Sequence, residues 1–225
     1  MSKILIIDTA IDVAGLCLCD GTHIIGEDRN ATLKDQAGWL QPAIARLLKK
    51  AGLPLSSLEA IAVSAGPGSY TGLRVGMATA KGLCYALSKP LISMNTLKIM
   101  AISAKKQLGE NSFFCPMIDA RRMEVFTALY DNQLVELMPP QAMILEPTSF
   151  DGWLSRSTVI FFGNGAPKYK NLLKNDQAIF RDISLNVSDS AVLAAEMYAR
   201  NEFSDLAYTE PFYIKPFYSP LIGNS

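Results

Sequence analysis

The amino-acid sequence predicts an α/β protein of 225 residues built from two similar halves. The first half opens with a continuous apolar run, residues 4–7, as expected for a strand that is buried on both faces, and the second half opens with the run at residues 113–118, which is also predicted to be a strand. Both runs are followed by an aspartate, Asp8 and Asp119, and then by two further predicted strands. The resulting order, βββαβα repeated twice, is typical of the duplicated ribonuclease-H-like fold of actin, Hsp70 and the sugar kinases.

Turn and cap signals give the elements of the first half. Asp20-Gly21 is a two-residue hairpin signal between two apolar segments. Asp35 can cap a helix that runs to about residue 51, and Pro42 within it predicts a late start or a kink. The predicted strands of this half are residues 4–7, 13–19, 22–26, 61–63 and 91–93.

The second half repeats this order after a helix predicted at residues 97–108. Ser188 or Asp189 can cap its last helix. The predicted strands are residues 113–118, 124–130, 134–137 and 159–162, and the predicted helices are residues 147–154, 166–174 and 191–200. We assign residues 1–97 to an N-terminal ribonuclease-H-like subdomain, residues 98–215 to a C-terminal one whose last helix can pack back on the first, and residues 216–225 to a tail.

The helix that follows the strand at residues 61–63 is rich in small residues. Gly66, Pro67 and Gly68 break the strand, and Ser69 or Thr71 can N-cap the helix. Small residues then recur at every fourth position in two stripes, Gly72, Gly76 and Ala80 in the first and Ala78, Gly82 and Ala86 in the second. Because a glycine inside a helix costs about 1 kcal/mol relative to alanine, the stripes indicate that another backbone approaches closely.

The glycines of this segment do not form a nucleotide-binding motif. No lysine follows Gly72 as a P-loop requires, and the spacing from Gly68 to Gly72 does not fit the dinucleotide fingerprint. The segment retains only the weak affinity for anions that a helix N-terminus provides.

Composition excludes several classes of function. The 21 basic and 21 acidic residues give no net charge, so strong binding of nucleic acid by this chain alone is not indicated. The single histidine, His23, cannot form a histidine-pair metal site, and the four cysteines lack metal-ligand spacing and are expected to be buried thiols. The N-terminal residues do not resemble a signal peptide, and no apolar run reaches the length of a membrane span. We expect a cytoplasmic protein without metal, cofactor or membrane contact.

Asp8 and Asp119 are the residues most suggestive of chemistry. In folds of the actin and sugar-kinase type, aspartates at these strand ends face the cleft between the halves, where Mg²⁺ and phosphates bind. That role needs a glycine soon after the first aspartate, and Thr9-Ala10 stands there instead. Both carboxylates can equally cap local turns. We keep Asp8, Asp119 and Arg121 as candidates for a vestigial nucleotide or phosphate contact, and predict no catalytic residue.

Three stretches together resemble the TsaB (YeaZ) family. They are Ile6-Ile7-Asp8-Thr9, residues 64–76 with their continuation to residue 83, and residues 117–126. The closing Pro211-Phe212-Tyr213-Ile214-Lys215 is similar to the family's Pro-Val-Tyr-Leu-Arg, so the likeness extends to about residue 218. The resemblance implies a non-catalytic scaffold subunit in the modification of tRNA to threonylcarbamoyladenosine. It implies as partners the catalytic TsaD and the ATPase TsaE, tRNA only within the complex, and a homodimer when the chain is alone.

The small-residue helix is predicted to pack against another helix through Gly72, Gly76 and Ala80, with the helix at residues 35–51 as its companion. We predict a partner surface on the small-residue helix and the helix before it, formed by Trp39, Leu40, Gly72, Val75, Gly76, Thr79, Ala80 and Leu83. Two alternatives to the family's function stay open. One alternative is a nucleotide-dependent kinase or ATPase of the same fold, suggested by Asp8 and Asp119. The other is a metalloprotease of the M22 glycoprotease type, whose His-x-x-x-His ligands are absent from residues 32–42.

Overall fold

The computed structural model describes residues 2–11, 13–30, 35–109 and 111–215. Within these residues the chain forms two five-stranded sheets. The first contains β1 (Lys3–Asp8), β2 (Gly15–Asp20), β3 (His23–Arg29), β4 (Ala60–Gly66) and β5 (Leu91–Asn95). The second contains β6 (Phe113–Asp119), β7 (Glu124–Tyr130), β8 (Glu136–Ile144), β9 (Val159–Phe162) and β10 (Ala178–Phe180).

The two sheets have the same topology. The order is β3-β2-β1-β4-β5 in the first sheet and β8-β7-β6-β9-β10 in the second. In each sheet three consecutive strands pair antiparallel, and the two later strands add parallel on the other side of the first. The structure therefore confirms the duplicated βββαβα arrangement predicted from the sequence, in two subdomains.

The helices cover both faces of each sheet. They are α1 (Gln36–Ala51), α2 (Tyr70–Leu87), α3 (Thr96–Leu108), α4 (Asp151–Leu154), α5 (Ala166–Lys170) and α6 (Ala191–Ala199). Helices α1 and α2 pack on one face of the first sheet, and α6 packs on its other face through Ala191 and Ala194. Helix α3 packs on the second sheet through Leu97 and Met100, while its Ile99 reaches the core of the first sheet. Thus α3 and α6 lie between the two sheets. The boundary predicted after residue 97 falls at the start of α3 and stays a prediction.

The caps of the first two long helices agree with the sequence analysis. The Asp35 carboxylate accepts a hydrogen bond from the backbone N–H of Gly38 at 3.0 Å, and the Ser69 hydroxyl accepts one from that of Gly72 at 3.3 Å. Helix α1 begins six residues before Pro42 and continues through it, so the predicted late start is wrong. The buried face of α1 consists of Leu40, Ala43, Ile44, Leu47 and Leu48.

The second half departs from the sequence analysis in its irregular segments. The strand predicted at residues 134–137 is β8, which begins only at Glu136 because Leu134 has a left-handed φ of 63° in the preceding turn. Helices predicted at residues 147–154 and 166–174 are single turns, α4 and α5, and β10 was not predicted. The last helix follows a 3₁₀ turn and Ser190, so neither predicted cap, Ser188 nor Asp189, takes that role. The tail predicted at residues 216–225 lies outside the described residues.

Candidate functional site

The end of β1 packs against the start of α2, and the glycines of α2 provide the space for this contact. Thr9 is fully buried, and its hydroxyl donates a hydrogen bond to the carbonyl oxygen of Gly72 at 2.7 Å. A Cβ atom on Gly72 would lie 2.0 Å from the Thr9 carbonyl oxygen, and one on Gly76 would lie 2.2 Å from Thr9 Oγ1. A Cβ on Gly68 would likewise lie 2.1 Å from the Ala10 carbonyl oxygen. The segment after β1 therefore occupies the space of three missing side chains.

This contact determines what covers the first small-residue stripe. The sequence analysis expected another helix against Gly72, Gly76 and Ala80. The structure places Thr9 against the two glycines, with the Gln36 side chain of α1 also beside Gly72, while Ala80 is buried in the core that α1 and α2 share. The spacing of small residues shows that a backbone approaches, but it does not distinguish a loop from a helix.

The remaining residues of the predicted partner surface fall into two groups. Leu40 is buried in the same core as Ala80. Trp39, Val75 and Leu83 are half-buried and pack onto that core. Thr79 is half-buried as well. The surface as a whole stays a prediction, since only this half-buried group retains area that a partner could contact.

The second stripe of α2 faces solvent. Ala78, Gly82 and Ala86 are exposed, and Tyr85 beside them keeps 82% of its surface accessible. A Cβ atom on Gly82 would have no neighbour within 4 Å among the described residues. The residues that flank each stripe distinguish the buried stripe from the exposed one. Leu73, Met77 and Cys84 flank the buried stripe, whereas Arg74, Lys81 and Tyr85 flank the exposed one.

Asp8 is buried and engaged in its own turn. Its Oδ1 accepts a hydrogen bond from the backbone N–H of Ala10 at 3.0 Å. Burial raises the pKa of the Asp8 carboxyl, partly offset by this hydrogen bond. A phosphate bound after β1 would have to approach the backbone of Thr9 and Ala10, and both residues are fully buried, with Gly68 and Gly72 of the α2 start against their carbonyl oxygens.

Asp119 has a different environment from Asp8. Its Oδ1 accepts hydrogen bonds from the backbone N–H of Arg121 and from Lys168 Nζ, both at 2.6 Å. The bond from Lys168 lowers the pKa of the Asp119 carboxyl. Both aspartates therefore make the local turn contacts that the sequence analysis considered as one of their two roles.

The structure does not bring the three candidates for phosphate contact together. Asp8 lines a cavity of about 530 Å³ between the two halves, with Arg29, Asn164 and Ser184 among the other lining residues. Asp119 does not line it, and Arg121 lines a separate cavity near the start of α2. Arg29, Asn164 and Ser184 come from three distant segments, so no local motif could have indicated them.

Two further properties concern metals and membranes. Among the described residues, no three His, Cys, Asp or Glu side chains cluster closely enough to hold a metal ion together. No helix in this part of the chain combines the length and the apolar character needed to cross a membrane. All four cysteines are free and buried, as predicted.

The duplicated topology and the packing of α2 define a two-subdomain protein of the actin/Hsp70/sugar-kinase type. A family model described as "TsaD: tRNA N6-adenosine threonylcarbamoyltransferase" matches residues 31–209. The "tRNA threonylcarbamoyladenosine biosynthesis protein TsaB" of Bacillus subtilis strain 168 is 30% identical over 179 residues, which cover 76% of this chain and 75% of that protein. The protein of the same name from Escherichia coli strain K12 is 26% identical over 227 residues, covering 95% and 94%.

Comparison with solved structures agrees with the sequence relatives. A Pseudomonas aeruginosa structure described as an uncharacterized protein with similarity to peptidase YEAZ superposes with a TM-score of 0.85 and 25% identity, covering 96% of this chain and all of that one. The chain belongs to the family of the TsaD model and, within it, to the TsaB (YeaZ) group, as its motifs indicated.

Proposed function

We propose that this chain takes part in the modification of tRNA to threonylcarbamoyladenosine as an accessory subunit without catalytic activity of its own. Its partner is a TsaD-like catalytic subunit, and a TsaE-like ATPase joins the same cytoplasmic assembly. The tRNA is held by the assembly rather than by this chain alone. Family membership supports the pathway, because the relatives in Bacillus subtilis and Escherichia coli are named for threonylcarbamoyladenosine biosynthesis.

The observation that carries the proposal of a partner surface is the exposed stripe of α2. A contact within the chain explains why residues 72 and 76 are glycines, because Thr9 occupies the space that their side chains would need. Gly82 has no such explanation among the described residues, although a glycine at an exposed helix position costs about 1 kcal/mol relative to alanine. A second helix crossing over Ala78, Gly82 and Ala86 would explain it, since small side chains permit close packing of helices.

The proposed partner surface therefore combines this stripe with part of the surface predicted from the sequence. The half-buried Val75 and Thr79 lie beside the stripe, and Trp39 extends the surface onto α1. When the catalytic subunit is absent, we propose that the same surface pairs with a second copy of the chain. Such a twofold contact is self-complementary, so one substitution acts twice.

The local contacts of the two aspartates support the non-catalytic role. The Asp8 carboxylate accepts a hydrogen bond from the N–H of Ala10. The Asp119 carboxylate accepts hydrogen bonds from Lys168 and from the N–H of Arg121. The backbone after β1, where a phosphate would bind in a kinase of this fold, is covered by α2. Turnover by the purified chain that Asp8→Ala abolishes would contradict this part of the proposal.

The partner surface is tested with two glycine substitutions that meet no neighbour. Gly82→Arg places a large charged side chain on the exposed stripe, whereas Gly152→Arg does the same on α4 in the second half, where the glycine is equally unobstructed. Each variant is co-purified with the TsaD-like subunit from the same cell, and circular dichroism confirms folding. We expect Gly82→Arg to reduce complex recovery at least about tenfold, which corresponds to about 1.4 kcal/mol, and Gly152→Arg to leave it unchanged. Unchanged recovery with Gly82→Arg would contradict the proposed surface.

A further inference from the structure

A second large cavity is lined in part by Pro67 and Gly68 of the turn before α2. Its volume is about 600 Å³, within the range of small-ligand pockets, and it shares no lining residue with the cavity between the halves. Its aromatic and basic lining comes from three parts of the chain, the start of α2, the β6–β7 hairpin and the C-terminal segment. We call it the aromatic–basic groove, formed by Tyr70, Arg74, Arg121, Phe126, Tyr213 and Lys215.

The groove concentrates positive charge on a chain that has no net charge. Arg74, Arg121 and Lys215 line it, and no aspartate or glutamate does. Lys215 pairs with Glu124 at 2.6 Å, but neither arginine forms an ion pair with a carboxylate of the described residues. Among the described residues these two guanidinium groups therefore have no carboxylate partner, although the charge of Glu210 acts on Arg74.

Aromatic rings lie beside these cations in a fixed arrangement. The Arg74 guanidinium stacks over the Tyr70 ring with 4.4 Å to its centroid, and Arg74 Nε–H donates a hydrogen bond to the Tyr213 hydroxyl at 3.3 Å. The Tyr70 and Tyr213 ring centroids are 5.4 Å apart, and each ring keeps more than a third of its surface accessible. A planar group entering the groove would find rings to stack on.

The walls of the groove are held in place by backbone contacts. The N–H of Phe212 donates to the carbonyl of Ala65 at 2.7 Å, and Lys81 Nζ donates to the carbonyls of Ala207 and Thr209. These contacts fix the C-terminal segment along β4 and α2. On the other wall, Arg121 and Arg122 have φ of 72° and 47° in the β6–β7 turn, a conformation that asparagine or glycine adopts more easily.

We propose that the aromatic–basic groove binds a nucleoside phosphate unit. Arginine and lysine neutralise phosphates, and exposed aromatic side chains stack on bases regardless of sequence. An acidic peptide would use the cations but not the stacked rings, so the lining favours a nucleotide. The unit can belong to a free nucleotide or to single-stranded RNA. Its assignment to the tRNA of the assembly rests on the proposed function, whereas the nucleotide chemistry rests on the groove itself.

The test measures binding of a short fluorescein-labelled single-stranded RNA to the isolated full chain by fluorescence anisotropy at low salt. Low salt is needed because the chain has no net charge to add to the affinity. Arg121→Gly is compared with Arg122→Gly, its neighbour in the same turn, which does not line the groove. Both changes remove one charge and both suit a positive φ, so they are matched in their effect on the backbone.

We expect Arg121→Gly to weaken RNA binding about tenfold and to reduce the slope of log K against log salt by about one, with Arg122→Gly within about twofold of wild type. Tyr213→Ala should weaken binding by a similar factor, whereas Tyr208→Ala, which changes a tyrosine of the same C-terminal segment that is 85% exposed and does not line the groove, should not. Tyr213→Phe, which keeps the ring, provides a second variant should Tyr213→Ala not fold, and it should retain most of the binding.

Competition distinguishes the sources of the nucleotide. Displacement of the RNA by AMP, with the same sensitivity to Arg121→Gly, supports the groove with a free nucleotide as ligand. RNA binding that AMP does not displace, with that sensitivity, supports it with an RNA strand. Absence of binding at low salt, or equal effects of the groove variants and their controls, would overturn the proposal. Displacement by a glutamate-rich peptide with no effect of Tyr213→Ala would overturn it in favour of an acidic peptide.

The two proposals fail independently. The anisotropy assay contains no catalytic subunit, and the co-purification assay contains no added RNA. Absence of RNA binding by the wild-type chain, with a complex that Gly82→Arg weakens, contradicts only the groove. Unchanged complex recovery with Gly82→Arg, with RNA binding that Arg121→Gly weakens, contradicts only the proposed partner surface.

Discussion

Replacing Gly76 by alanine tests whether the first stripe of α2 belongs to the core or to a partner surface. The added Cβ would lie 2.2 Å from Thr9 Oγ1 and 3.5 Å from Val63 Cγ2. Thr9 is fully buried, so its side chain has no open space to move into. Overpacking of this kind destabilises a protein by about 1–3 kcal/mol, which exceeds the gain of up to about 1 kcal/mol from the higher helix propensity of alanine. We expect a net loss of about 1–2 kcal/mol.

Removing the Thr9 side chain should turn the destabilisation by Gly76→Ala into a stabilisation. Thr9→Ala alone loses the hydrogen bond to the Gly72 carbonyl, worth about 0.5–1.5 kcal/mol, and leaves a small void. It retains only a Cβ, which lies 3.5 Å from the position of an added Cβ on Gly76 and is in ordinary contact with it. In the Thr9→Ala background Gly76→Ala should therefore stabilise by up to about 1 kcal/mol. The coupling energy of the pair is then about 2–3 kcal/mol.

Urea unfolding of the wild type, the two single variants and the double variant measures this coupling. Circular dichroism follows the transition, and linear extrapolation gives the free energy of unfolding in water. Gly82→Ala is the control, because it adds the same atom to the same helix in open space and should stabilise by up to about 1 kcal/mol in both backgrounds. Equal behaviour of Gly76→Ala and Gly82→Ala would refute the packing argument. Loss of partner binding at unchanged stability would show that the first stripe is a partner surface.

Two further predictions concern carboxylates. Asp189 is buried, pairs with the exposed Lys106 at 2.6 Å and accepts a hydrogen bond from the buried Ser103 hydroxyl at 2.9 Å. Asp189→Ala leaves that hydroxyl without its acceptor, so it should lower the free energy of unfolding by about 1–3 kcal/mol. Removal of the exposed Glu202 should change it by less than about 0.5 kcal/mol in the same urea experiment. Burial raises the pKa of Asp8 above its ordinary value of 3.8, so the folded state binds more protons than the unfolded state between the two pKa values. The stability of the wild type relative to Asp8→Asn should therefore fall as the pH rises above about 4 and level off above the folded-state pKa. A difference that does not vary with pH would contradict the buried state of Asp8.

Sequence reasoning identified a central strand that is buried on both faces and failed at an edge. The continuous apolar run at residues 4–7 predicted a strand that is buried on both faces, and β1 is the central strand of the first sheet. The strand predicted at residues 134–137 ends before Pro139 and Pro140, whereas β8 continues through both prolines to Ile144. It pairs only with β7, and an edge strand tolerates prolines because their missing N–H groups can face away from the ladder. A local pattern does not show which strand lies at an edge.

The sequence indicated which residues of the candidate site matter, but not which residues they contact. The spacing of glycines in α2 correctly indicated a close approach of backbone, and the approaching residue, Thr9, lies 63 positions earlier in the chain. No local rule connects the two. Arg121 was singled out as a basic feature at a strand end, but its place in a groove depends on Tyr213 and Lys215, which arrive from the C-terminal segment.

Helix α2 carries small residues on two faces, and each face has its own reason for them. On its inner side Gly72 and Gly76 accept Thr9, and this contact covers the backbone after β1 where a related kinase would hold phosphate. On its outer side Gly82 leaves a smooth surface that no described residue covers. The two stripes lie on different faces of the helix, so their substitutions should separate. Gly76→Ala should change the stability of the isolated chain, and Gly82→Arg should change association with the catalytic subunit. If one substitution changed both properties, the two faces would have to act as a single surface, and the assignment of the inner stripe to the core would not stand.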